Sequence, residues 1–332
     1  MTGIGGQVRR SRLMRATSGA GTRHTRCVVL RTADGPPAVP PQPILPEGEA
    51  ILQPPLDNTP DDKPDDTPSR IPHLGHAALF LAITGITLLL AQAALLGIIH
   101  PIHAISTGGV SPKLLVAAEA FTYATALTSA WFLFPLLWKR TFPVGVQWNL
   151  PAGIRNVAKL MPLGMVLSFS VQALSSLLPT PKPMPMDDFF RTSSDIWIIT
   201  AFGILVAPLF EEILFRGFLL PAFAIAYDWI CLPRTEVARV TWQSSNSLTL
   251  PALVFSAVFT SMLFALLHGE QTAFTWPVLA LLFFVSLVLT GVRIRLRSVA
   301  ASTIVHASYN LTVFAVAFTV SGGYHHLDRL PH

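Results

Sequence analysis

The chain has 332 residues, of which 51% are hydrophobic and only 12% charged, and its formal net charge is +5. Soluble globular proteins carry roughly 25% charged residues. From residue 74 onward, 259 residues hold just 10 acidic and 14 basic side chains. A water-soluble fold of that make-up would present large apolar patches and precipitate, which excludes an ordinary cytosolic enzyme and points to the lipid bilayer as the solvent.

The basic excess is no nucleic-acid footprint. Seven arginines and no acid fall within residues 1–32, and most other Lys and Arg sit in short gaps between apolar runs. That pattern encodes membrane topology, whereas a phosphate-binding surface needs a continuous basic face. The two cysteines, Cys27 and Cys231, are too few for a disulfide scaffold, and no CxxC pair offers a zinc knuckle.

Residues 1–73 form a lead with 12 of the 28 prolines and eight acids. With few large apolar residues it cannot offset chain entropy by burial, so it is expected to be disordered. Arg9 and Arg10 lack the apolar run that a twin-arginine signal requires. A start at Met14 or further on is the alternative, under which part of the lead is not translated.

A membrane-crossing helix needs about 20 mostly apolar residues. Ala77–Ile99 qualifies without a charge, and Leu114–Trp138 with only Glu119, read as an interfacial or helix-packing residue. Met161–Leu178 is next, followed by a polar, proline-rich connector over 179–195. Ile196–Ile230 is a long apolar stretch interrupted by Glu211, Glu212, Arg216 and Asp228. Leu250–Leu267, Phe274–Val292 and Ser298–Gly322 complete the series.

As a single helix, Ile196–Ile230 measures about 52 Å, against a hydrocarbon core of roughly 30 Å. It is either one tilted or kinked helix, with Pro208 and Pro221 as kink sites, or two spans. Counted once, it gives seven spans that place 18 basic residues on the cytoplasmic side and four outside. Counted twice, the last two basic clusters move outside, against the positive-inside rule. The expected fold is therefore all-α: a polytopic bundle of seven transmembrane helices over 74–332, with eight as the alternative. It sits in the cell membrane, N-terminus cytoplasmic and C-terminus outside.

Charge at mid-membrane is costly, so intramembrane ionisable groups read as functional by default. Glu211, Glu212, Arg216, His268 and His306 stand out, with Asn310 as a buried amide. Glu212 and Arg216, spaced i,i+4, can neutralise each other on one helix face. Glu211 is turned about 100° away from them and is free to face a cavity. His306 and Asn310 share the i,i+4 spacing on the last span, and Phe264 and His268 on the fifth. Three helices thus each offer polar groups from one face, which lipid penalises unless those faces converge. Taken singly, a membrane His or Asn is more often an interhelical hydrogen bond than a catalyst.

Together these residues carry a resemblance. Glu211-Glu212-Ile-Leu-Phe-Arg216 matches EExxxR, Phe264-Ala-Leu-Leu-His268 matches FxxxH, and His306-Ala-Ser-Tyr-Asn310 matches HxxxN. In this order on apolar helices they resemble the CPBP family of intramembrane proteases. That family includes type II CAAX prenyl endopeptidases, which trim prenylated C-terminal sequences, and bacterial bacteriocin-processing and immunity proteins. The resemblance spans about residues 196–320, with Phe215–Leu219 and Arg297–Ala301 also similar to family text. The first two motifs are further apart than is usual in the family, an excess placed in the polar stretch 233–249. That stretch is expected as a loop at the membrane surface, with two alternatives: it leaves the site undisturbed, or it caps or narrows substrate access.

The resemblance implies peptide hydrolysis on a membrane-associated substrate, either a prenylated CAAX-type protein or another membrane-anchored peptide, with Glu211 as general base and His268 holding the same water. It implies His306 and Asn310 as donors to the oxyanion, and Glu212 with Arg216 as a supporting ion pair. Arg216 has a second reading, as a ligand for a substrate carboxylate. Two cofactor states stay open: metal-free glutamate chemistry, or one divalent ion, zinc first, held by Glu211, His268 and His306 as an intramembrane metalloprotease. No HExxH is present to decide between them. Rival functions for the same polar cluster are a proton-coupled transporter and a non-catalytic membrane immunity or scaffold protein. The first predicts inverted repeats and the second an eroded motif; neither is seen in the sequence.

Overall fold

The computed structural model describes residues 70–103, 112–178, 193–245 and 247–327. The chain divides into residues 1–62 and 63–332, and everything described belongs to the second unit. The lead expected to be disordered lies outside the described residues except for residues 70–73. Those four are anchored: Arg70 donates through Nη2 to the Trp242 carbonyl at 2.8 Å, and its guanidinium lies 4.2 Å over the Trp242 ring.

Apolar runs become helices because only internal backbone pairing satisfies N–H and C=O groups away from water. Helix α1 is Leu74–His103 and α2 is Pro112–Trp138, followed by short α3 (Phe142–Gly145) and α4 (Leu150–Arg155). Next come α5 (Val157–Ser175), α6 (Ser193–Ala201), α7 (Ala207–Glu212) and α8 (Leu220–Cys231). The series ends with α9 (Glu236–Ser244), α10 (Leu250–Leu267), α11 (Trp276–Leu296) and α12 (Val299–Val320). Among the described residues there is no β-strand, and seven helical runs are long and apolar enough to cross a bilayer.

The ambiguous stretch is a single run, Asp195–Cys231, of 37 residues. It is continuous because two π-helical segments, Phe202–Val206 and Ile213–Leu219, join α6, α7 and α8. Each precedes a proline, Pro208 or Pro221. Proline has no N–H and its ring crowds the carbonyl four residues back, so a wider turn just upstream absorbs the misfit without breaking the helix.

Two boundaries differ from the sequence reading. The sixth span was expected from Phe274, but Ala273 and Phe274 adopt left-handed backbone (φ 49° and 50°) and the helix starts at Trp276, with a proline in its first turn. It also runs on to Leu296, taking in Arg293 and Arg295, whose charges suit a helix C-terminus. Arg293 is therefore a buried helical residue and not a connector charge. The stretch 233–249 is no plain loop either, since α9 forms within it, capped by Thr235 Oγ1, which accepts from the Ala238 amide at 3.3 Å.

Helix α12 packs on α5, α11, α4 and α7. Lipid does not drive helices together as water does, so association rests on close packing through small residues. Gly164 of α5 provides it: a Cβ there would stand 2.4 Å from the Val305 carbonyl oxygen. The start of α12 is fixed by Ser298, whose Oγ donates to the Asn149 carbonyl at 2.7 Å and accepts from the Ala301 amide at 3.1 Å. A second layer of cohesion is aromatic. Phe80, Phe134, Trp138, Phe142, Phe210 and Phe218 form one buried cluster linking α1, α2 and the long run, with Phe80 and Phe218 stacked at 4.5 Å.

Candidate active site

Large apolar side chains such as Leu136 and Leu89 point outward, while Glu212, Arg216, Ser256 and Ser302 are completely buried. This inversion of a soluble core is what a bundle solvated by lipid requires. It leaves the polar groups to one another.

Glu212 and Arg216 meet first. Arg216 Nη1 donates to Glu212 Oε1 at 2.8 Å, and Nη2 donates to the Ser286 carbonyl and Oγ at 2.9 and 2.7 Å. Both side chains are wholly buried. Arg216 also lies 5.0 Å over the Phe264 ring. Its reading as a ligand for a substrate carboxylate is corrected here. Both Nη groups are engaged by Glu212 and Ser286 while Nε is buried without a partner, and Arg216 is not on the wall of the polar cavity described next.

His306, from α12, reaches across to the same carboxylate. Its Nδ1 lies 3.0 Å from Glu212 Oε1 and donates to it, which turns Nε2 toward Glu211, 3.8 Å from Oε2. Glu211 is the outlier of the pair: its Oε2 is buried with no hydrogen-bond partner. His268, at the end of α10, directs Nδ1 at the Phe264 carbonyl 2.8 Å away. A carbonyl only accepts, so Nδ1 carries the proton and Nε2 keeps its lone pair.

Asn310 has a local explanation. In the first π-helical segment the Ala207 amide bonds the Phe202 carbonyl, five residues back. In that register the partner of the Gly203 carbonyl is Pro208, which has no N–H. Asn310 Nδ2 supplies the missing donor at 2.7 Å. One amide hydrogen of Asn310 remains for other use.

Glu211, His268, His306 and Asn310 all line one cavity of about 310 Å³. The structure thus brings together the four residues expected to be catalytic, and it places Glu212 and Arg216 behind them. No described residue of 233–249 lies on the cavity wall.

Three further polar residues on the wall carry no site role in the sequence reading: Glu119, Gln271 and Tyr309. Glu119 was taken for an interfacial or packing residue, yet it faces the chamber with Oε1 accepting from Tyr123 Oη at 2.6 Å. Its being the single charge within the second span was the available signal.

The zinc reading meets a different outcome. Among the described residues no three His, Cys, Asp or Glu side chains come together closely enough to hold a metal ion. The buried free oxygen of Glu211 and the Nε2 of His306 approach each other, but His268 does not complete a ligand set with them. The residues as placed do not fit a bound zinc, and no step below runs through one.

A helix bundle with seven runs apolar enough to cross a bilayer and a chamber lined by carboxylate, imidazole and amide groups defines an integral membrane protein with a polar site. Residues 193–312 match the family described as Type II CAAX prenyl endopeptidase Rce1-like, so this segment is similar to the CPBP membrane proteases. The matched segment runs from the start of α6 into α12 and so contains all three motifs. Neither the curated proteins nor the solved structures hold a match to the chain.

Proposed function

We propose that this protein is an intramembrane endopeptidase that hydrolyses a peptide bond of a membrane-anchored, CAAX-type substrate by metal-free glutamate chemistry. The observation that carries the reading is that Glu211, whose Oε2 is buried without a hydrogen-bond partner, lines one cavity together with His268, His306 and Asn310. The Glu211 side chain stays partly accessible, at 16%, and the cavity it lines has room for a water.

In this mechanism the water attacks the scissile carbonyl carbon while Glu211 takes its proton. His268 Nε2, an acceptor, orients the water through its second hydrogen. The oxyanion that forms is met by N–H of His306 Nε2 and by the spare amide hydrogen of Asn310, fixed dipoles that need no reorganisation. These two roles of His306 need a proton on each ring nitrogen, with the Glu212 carboxylate beside Nδ1. Glu212 and Arg216 act as positioning residues, since they hold His306 and the helix turn of Glu211.

The orientation belongs to the same proposal: N-terminus cytoplasmic and C-terminus outside the cell membrane, on the basis of the positive-inside bias. The test is cleavage of a lipidated reporter peptide by protein purified in detergent. Wild type should release one product, and Glu211→Gln should release none while eluting as the same folded species. Cleavage by Glu211→Gln at the wild-type rate would remove Glu211 from the reaction.

A further inference from the structure

Helix α2 brings a second carboxylate to the chamber. Glu119 lies on its wall together with Glu211 and His268. The hydrogen bond it accepts, from Tyr123 Oη at 2.6 Å, stays within its own helix, so it does not tie α2 to a neighbour.

Tyr123 is itself clamped. Its ring stacks on Phe210, the residue before Glu211, with centroids 3.8 Å apart and planes 6° from parallel, and on Phe202 at 5.7 Å. Glu119 is thereby fixed relative to the helix that carries Glu211, although α2 lies outside the matched segment 193–312. A carboxyl group in an apolar span is expensive, and the packing around it holds it toward the chamber instead of out to a membrane surface.

Amide hydrolysis needs two proton transfers of opposite sense, and enzymes commonly divide them between two carboxyl groups in different surroundings. We propose that Glu119 is the general acid of the reaction described above, protonating the leaving amine while Glu211 takes the proton of the attacking water. The inference rests on that reading of Glu211. The water oxygen bonds to the carbonyl carbon and its proton goes to Glu211. The C–N bond then breaks, its electron pair stays on nitrogen, and that nitrogen takes the proton of Glu119. After release, the proton on Glu211 returns to Glu119 through water in the chamber, and the site is restored.

The test compares a lipidated amide reporter with its aryl ester analogue, whose leaving oxygen departs as a stable anion without protonation. For full-length Glu119→Gln in detergent, amide kcat should fall about 100-fold with KM little changed, and the ester-to-amide ratio should rise by the same factor. Tyr123→Phe should shift that ratio in the same direction by less. Wild-type amide turnover in Glu119→Gln, or equal loss on ester and amide, would overturn the assignment. Should Glu119→Gln fail to fold, Glu119→Asp must cleave the amide faster than Glu119→Asn; equal rates overturn it too. Amide cleavage by Glu211→Gln would bring down the Glu211 reading itself, a result distinguishable from failure at Glu119 alone.

Discussion

His306 Nδ1 and Arg216 Nη1 converge on a single oxygen, Glu212 Oε1, at 3.0 and 2.8 Å. One carboxylate therefore couples the last helix to the long central run and sets where His306 Nε2 points. Arg216→Ala would strand that carboxylate in a fully buried site. Removing one partner of a buried pair costs about 3–5 kcal/mol, so the variant should show a large drop in thermal unfolding temperature in detergent. Glu211→Gln should leave that temperature close to wild type, because Glu211 Oε2 makes no hydrogen bond to lose.

Gly164 offers a purely steric test. Its replacement by Ala puts a methyl 2.4 Å from the Val305 carbonyl and 3.0 Å from the Tyr309 amide nitrogen, backbone atoms that bracket His306. Overpacking of this kind costs about 1–3 kcal/mol, and displacement of α12 should lower activity with it. Gly85→Ala, where nothing lies within 4 Å of the new atom, should be neutral or slightly stabilising. Thermal unfolding of both variants, read side by side, checks the contrast.

Chelation addresses the cofactor. With no three-ligand cluster among the described residues, prolonged treatment with a chelator should leave reporter cleavage unchanged, and zinc add-back should not raise it. Loss of activity on chelation with recovery on zinc would reinstate a metal site and require His268 to swing toward Glu211.

Much of this site was legible because lipid makes polar residues conspicuous. Glu211, His268, His306 and Asn310 each interrupt an apolar run, and the i,i+4 spacing of Glu212 and Arg216 announces their pairing. What the sequence does not carry is tertiary: that Glu212 also serves His306, that Ser286 occupies Arg216, and that Asn310 completes the backbone beside Pro208. The prolines were readable as sites of distortion, but whether a helix kinks or widens depends on its neighbours. Glu119 was legible as an oddity only, since no motif surrounds it and its role depends on Tyr123 meeting Phe210. The start of α11 was misjudged because Phe274 is apolar, while its left-handed backbone follows from the tight turn before it.

Topology can be checked by labelling. In a cysteine-free background, single cysteines at positions 295 and 329 should react with a membrane-impermeant reagent from opposite sides, position 295 from the cytoplasm. Both on one side would contradict a single final span.

The central claim, that four side chains from three helical segments act on one attacking water and the oxyanion it creates, is tested most directly by the amide kcat of Glu211→Gln, His268→Ala, His306→Ala and Asn310→Ala. Each is measured on protein whose unfolding temperature matches wild type. The account predicts a loss of at least about 100-fold in every one, as for removal of a proton-transfer or oxyanion group. Near-wild-type turnover in Glu211→Gln or His306→Ala would contradict it.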